Sequence, residues 1–245
     1  MTLLESPVGV SRRTLAKGAA WSLPAIAASA AVPVVAASCS SPSYTMQGTV
    51  STYFSGTNMT APGSGVTLIA GGGTTASTGI CSGISGIANN YFYTNATAAE
   101  VNLGGVGLGS SATWLMLNQG CASSTNGYNQ TVNLNFSQTV YCVSFYVADL
   151  DGSVGYGSYK DKVRVPGFTA SLVDPATTHI TVSGDTATVN AYVSTSASSA
   201  RGTVKFTYTG AGITSLSVVY SNAAAPATAQ YVLISPITFK TQACC

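Results

Sequence analysis

Strand-length runs of alternating polarity recur about every ten residues across residues 131–239, and this spacing constrains the fold more than any other feature of the chain. In TVNLNF, Val132, Leu134 and Phe136 alternate with polar neighbours, the period-two pattern of a strand with one wet face. VYCVSFYV follows after Ser137-Gln138 and puts Val143, Phe145 and Val147 on one face. GFTASLV, HITVS, ATVNAYV, GTVKFTYT, ITSLSVVYS and QYVLISPITF come next, divided by Asp-Pro, Ser-Gly-Asp, Ser/Ala-rich and Gly-Ala-Gly turns. Pro236 cannot donate to a ladder, so the last run belongs at an edge or a bulge. Upstream, residues 44–54, 65–70, 91–94 and 112–117 read as shorter strands among Gly-, Ser- and Thr-rich loops. The triple glycine at 71–73 is a turn, since no Gly-Lys-Ser/Thr follows to make a phosphate loop. No helical period appears after the N-terminal segment. The expectation is an all-β, antiparallel β-sandwich, jelly-roll-like, forming one domain over residues 38–245.

Charge narrows the function classes. Charged residues make up 7% of the chain, where about 25% is usual. From Ser38 on, six acidic and six basic side chains remain, so this part is neutral overall. Nucleic-acid and anionic-membrane surfaces need clustered Lys and Arg and are not expected. Half of the remaining charges fall between Asp149 and Arg164, in VADLDG and the answering YKDKVRV. Strand residues two apart share a face about 6–7 Å from each other, so Asp149 follows Val147 and Asp151 follows Asp149 until Gly152 breaks the strand. The same alternation sets Asp161 with Val163 and Val165, and Lys160, Lys162 and Arg164 on the opposite face.

Three readings of this acidic centre compete. Asp149, Asp151 and Asp161 with loop carbonyls would suit Ca²⁺, which takes oxygen ligands, although the spacing falls short of an EF-hand. Alternatively they staple the strand connection, Asp161 accepting from loop amides. The third is paired-carboxylate glycoside chemistry. Catalytic inventory is otherwise poor: there is no Gly-x-Ser-x-Gly elbow and no cofactor fingerprint, and the single histidine, His179, lies in a strand-like run. No enzyme activity is expected, with a carboxylate-based glycan-active enzyme as the remote alternative. Tyr156 and Tyr159 flank the acidic loop, and their rings are candidates for stacking on a surface glycan or anchoring a protein partner.

The N-terminus reads as an address. Ser11-Arg12-Arg13-Thr14-Leu15-Ala16-Lys17, then an Ala-rich apolar run, resembles a twin-arginine export signal, with Ala16 where leucine is usual. The segment is also similar to signals of actinobacterial surface proteins. The resemblance implies export through the twin-arginine translocase, signal-peptidase cleavage after residues 1–37, and a surface or extracellular location with no stable membrane insertion. Cys39 stands near a lipobox-like position, but Ala36 replaces its bulky aliphatic, and lipidation would leave an odd number of thiols. Cys39, Cys81, Cys121, Cys142, Cys244 and Cys245 all follow the signal and read as up to three disulfides, connectivity open, one of them expected to tie Cys39 to the C-terminal pair and a second to join Cys81 and Cys121. Their spacing does not fit a thiolate metal site.

F-x-V-x-D-L-D-G followed by Y-x-D-x-V-x-V, over residues 145–165, is similar to a pattern of secreted bacterial surface domains of jelly-roll-like type. The resemblance implies that Asp149, Asp151 and Asp161 are cation ligands or loop staples. A structural or adhesive surface protein is the leading expectation. A carbohydrate- or protein-binding module with a calcium-stabilised loop is the alternative.

Overall fold

The computed structural model describes residues 41–46, 58–70, 75–77, 91–94, 103–108, 113–119, 129–154, 158–224 and 230–243. The chain clusters into two units, Met1–Ser41 and Pro42–Cys245, and every described strand belongs to the second. Arg12, Arg13, Tyr156, Cys39, Cys81, Cys121, Cys244 and Cys245 lie outside the described residues. Cys142 is disulfide-bonded, and its partner is therefore one of those other cysteines.

The architecture is all-β and antiparallel. Among the described residues there is no α-helix, only short 3-10 turns at Leu103–Gly105 and Ala200–Gly202. In chain order the strands are β1 (Ser43–Met46), β2 (Asn58–Thr60), β3 (Thr67–Ala70), β4 (Thr75–Ser77), β5 (Tyr91–Thr94), β6 (Thr113–Gln119), β7 (Asn129–Ala148) and β8 (Gly152–Ser153). They continue with β9 (Tyr159–Arg164), β10 (Thr169–Leu172), β11 (Ile180–Ser183), β12 (Thr186–Val189), β13 (Val204–Tyr208), β14 (Ile213–Asn222), β15 (Gln230–Ile234) and β16 (Ile237–Lys240).

Strand β7 organises the molecule. Its first half pairs with β14 on one side and with β3 and β4 on the other, and β14 continues through β9 and β12 to β11. Its second half pairs with β13 on one side and with β15 and β16 on the other. The two expected strands on either side of Ser137-Gln138 are thus one 20-residue strand serving both layers of a sandwich. The bend shows in the register: Ile213 faces Val140 while Ser215 faces Asn135, so residues 136–139 bulge, and Ser137, Gln138 and Thr139 are exposed. A second irregularity against β16 coincides with Cys142, whose φ is +49°. Bulges of this kind bend a strand and increase its twist.

The core lies between the layers. Val132, Leu134, Val143, Phe145 and Val147 of β7 meet Phe206, Val218, Tyr220 and Phe239, all buried. Phe145 stacks on Phe206 with ring centroids 5.8 Å apart and takes Phe168 edge-on at 5.7 Å. Burying side chains of this size stabilises by roughly 1.5–3 kcal/mol each. A smaller cluster of Leu103, Trp114, Met116, Ala148 and Leu233 packs separately, with Tyr146 and Ala197 against it. Ala148 follows Val147 in an alternating strand, so this cluster covers the other face of that sheet.

Two expectations need correction. Of the two places expected for the run holding Pro236, the edge is excluded, since β15 lies between β7 and β6 and β16 between β7 and β1, while the ladder of β16 to β7 does carry an irregularity between Thr238 and Lys240. Pro236 sits in the gap where the outer neighbour changes, and Ser235 takes over the pairing, exchanging backbone and hydroxyl hydrogen bonds with Tyr146 at 2.9 Å each. Of ATVNAYV only the first three residues belong to a strand, β12 (Thr186–Val189); the chain leaves the sheet at Asn190, and Tyr192 and Val193 are exposed.

Candidate functional site

The acidic centre is where β7 stops. Asp149 has φ +65°, a left-handed conformation that aspartate tolerates better than most residues, and it turns the chain three residues before Gly152. The Leu150 amide donates to the Gly202 carbonyl at 2.9 Å, and its side chain is buried. Asp151 then faces Asp161 of β9. The Asp161 amide donates to the Asp151 carbonyl at 3.0 Å, and the Asp151 amide donates to Asp161 Oδ2 at 3.0 Å. Tyr220 of β14 donates its hydroxyl to Asp161 Oδ1 at 2.8 Å. Tyr159 donates to Asp151 Oδ1 at 2.8 Å, and the Thr195 amide donates to Asp151 Oδ2 at 3.1 Å. This is the staple arrangement: Asp161 ties the loop to β9, and Asp151 ties the loop to residues 190–199.

Residues 190–199 form an irregular strap fixed by its backbone. The Asn190 amide donates to the His179 carbonyl at 2.8 Å, and the Asn190 carbonyl accepts Lys160 Nζ at 3.0 Å. The Gly152 amide donates to the Val193 carbonyl at 3.1 Å, and the Ala197 carbonyl accepts from Gly104 at 2.7 Å. The fit is close: a Cβ on Gly152 would stand 2.9 Å from the Ala191 carbonyl oxygen.

Burial dominates the electrostatics. Asp161 is fully buried, and desolvation raises its pKa well above the ordinary carboxylate value, although the Asp151 amide and Tyr220 hydroxyl pull it back. Tyr220 is raised by desolvation and then by the Asp161 charge. Tyr159 is raised by desolvation and then by its hydrogen bond to Asp151, so its phenol stays protonated. His179 is lowered by desolvation, despite the Asp151 charge and a hydrogen bond with the Leu150 carbonyl that oppose this. Its Nε2 is buried with no hydrogen-bond partner among the described residues.

Beside the network lies a polar cleft of about 440 Å³, lined by Asp149, Asp151, Tyr159, the strap residues Ser194, Thr195, Ser196, Ala197 and Ser198, and Gln230 and Tyr231 of β15. Asp149 and Asp151 reach the cleft, whereas Asp161 stands behind Asp151 with no exposed surface. Of the two tyrosines singled out in the sequence, Tyr159 lines the cleft. All four carboxylate oxygens of Asp151 and Asp161 accept a hydrogen bond from a protein donor. Among the described residues no group of three His, Cys, Asp or Glu side chains is placed to hold a metal ion; Asp151 and Asp161 are joined by hydrogen bonds, and Asp149 lines the cleft beside them.

Sequence reasoning missed the strap, Gln230, Tyr231 and Tyr220. The Ser/Ala-rich composition marks 194–200 as a connection, but nothing local says that it folds back over Asp151. Tyr220 was legible as an inward position of an alternating strand; that its hydroxyl meets Asp161 depends on β14 pairing β9, with Asn222 opposite Asp161.

No protein-family model matches the chain, and no curated protein matches it. The solved structure of glucan binding protein C of Streptococcus mutans, described as mediating both sucrose-independent and sucrose-dependent adherence, aligns over 77% of this chain at 9% identity and TM-score 0.34. The alignment spans 59% of that protein's chain. Likeness at that level carries no argument.

Proposed function

We propose that the chain is an exported, non-catalytic β-sandwich of the cell surface or extracellular space, adhesive in type, whose recognition site for a glycan is the cleft beside Asp151. The carrying observation is the lining: hydroxyls of Ser194, Ser196 and Ser198, an amide at Gln230 and carboxylates at Asp149 and Asp151, with Tyr159 and the part-exposed ring of Tyr231 alongside. Dense hydroxyl, amide and carboxylate groups match the hydrogen-bonding capacity of a polyol, and a tyrosine ring offers an apolar face to a sugar.

Export rests on the Arg12-Arg13 signal, with the translocase and signal peptidase as partners and cleavage near Ala37. Two experiments test the proposal. On a glycan array the full chain binds at least one glycan class, and Tyr231→Ala and Ser196→Ala weaken that binding; an array without binding, or binding that both variants leave intact, sinks the recognition site. Replacing Arg12 and Arg13 together by lysine retains the protein inside the cell; continued secretion of the double variant sinks the export route.

A further inference from the structure

Resting on the glycan reading above, we infer that the cleft selects uncharged glycans and turns away those bearing carboxylate, sulfate or phosphate groups. Its lining carries the carboxylates of Asp149 and Asp151 and no lysine or arginine among the described residues. The basic side chains next to its walls are engaged elsewhere. Lys160 Nζ donates to the Asn190 carbonyl at 3.0 Å and lies 4.3 Å from the Tyr192 ring centroid. Arg201 pairs with Asp174 at 3.4 Å. Swinging either one in to neutralise an anionic ligand would break those contacts.

The hydrogen-bonding pattern points the same way. Asp151 Oδ1 and Oδ2 each take one protein donor, and each oxygen keeps a further lone pair. Those lone pairs can accept from sugar hydroxyls. The Ser196 and Ser198 hydroxyls, 2.9 Å apart, can give as well as take. An ionised carboxylate, sulfate or phosphate has no hydrogen to offer the aspartates. It would also meet like charge between partly desolvated walls, where Coulomb repulsion exceeds its value in bulk water. A neutral polyol meets neither obstacle. The selectivity therefore comes from charge rather than shape, and a substituent no larger than a carboxylate is enough to exclude a ligand that otherwise fits.

The test uses matched ligands. Neutral gluco-, manno- and galacto-oligosaccharides and their C6-oxidised uronate counterparts are titrated calorimetrically against the full chain, in about 10 mM and about 500 mM salt, so that the screening length spans a wide range. The expected result is that a neutral oligosaccharide binds and its uronate counterpart binds at least about tenfold more weakly at low salt. That gap narrows at high salt and in Asp149→Asn, a substitution that keeps the left-handed backbone accessible. A uronate that binds as tightly as its neutral counterpart at low salt overturns the selectivity and leaves the glycan reading standing. A gap that neither salt nor Asp149→Asn changes assigns the discrimination to shape and overturns it too. Failure of every ligand to bind overturns both.

Discussion

Replacing Tyr220 by phenylalanine probes its buried contact with Asp161, because it removes the hydroxyl and leaves the ring in the core. That hydroxyl donates to Asp161 Oδ1 at 2.8 Å, and both residues have no exposed surface. A hydrogen bond to a charged buried acceptor contributes about 1.5–3 kcal/mol, one between neutral groups about 0.5–1.5 kcal/mol. The magnitude must therefore depend on pH. Desolvation raises Asp161 above its ordinary value, so the native state keeps a proton that the unfolded chain has already released. The unfolded state then binds fewer protons, and stability falls as pH rises from the ordinary carboxylate value through the raised one. The Tyr220 hydroxyl moderates that fall by stabilising the ionised form. Without it, the loss is expected to be about 1 kcal/mol near pH 4 and to grow to about 1.5–3 kcal/mol once Asp161 ionises in the native protein. At the upper end of that pH range the midpoint drops by about 3–12 °C for a unit of this size. Urea unfolding of both proteins from pH 4 to pH 9, disulfide intact, measures the difference directly. A Tyr220→Phe effect that is the same across that range, or below about 0.5 kcal/mol throughout, would refute a staple built on ionisable Asp161.

Gly105→Ala probes the support of the strap. Gly105 has φ +64°, and an added Cβ would lie 2.7 Å from the Ala200 amide nitrogen, so the substitution should cost about 2–4 kcal/mol in chemical denaturation; a loss below about 1 kcal/mol would mean that the turn at Ala200–Gly202 yields freely. His179 is lowered by burial, so the unfolded chain takes up its proton first, and this residue removes stability as pH falls below about 6.5. His179→Gln should flatten the acid limb between the ordinary and lowered histidine values, and an unchanged limb would count against burial as the cause. Calcium or chelator should leave the thermal midpoint unmoved, since Asp161 is fully buried with both oxygens hydrogen-bonded inside the fold, which leaves two carboxylates at the cleft; a rise of several degrees with calcium would establish metal coordination as the role of these aspartates.

Alternation alone determined a good deal about this protein. Residues two apart in a strand share a face, so Val143, Phe145 and Val147 were legible as core, as was Asp161 beside Val163 and Val165, and all of them are buried. The same local rule made an antiparallel all-β fold readable and concentrated attention on Asp149, Asp151 and Asp161. What it could not give was any fact set by strands meeting across long sequence separations. That Ser137-Gln138 bends one strand instead of ending it comes from β14 and β16 gripping its two halves. That Pro236 sits between neighbours rather than at an edge depends on where β6 and β1 dock. The strap over Asp151 and the ring of Tyr231 enter the cleft for the same reason. Period two tells each side chain which way to face, and only the closed sandwich decides what it faces.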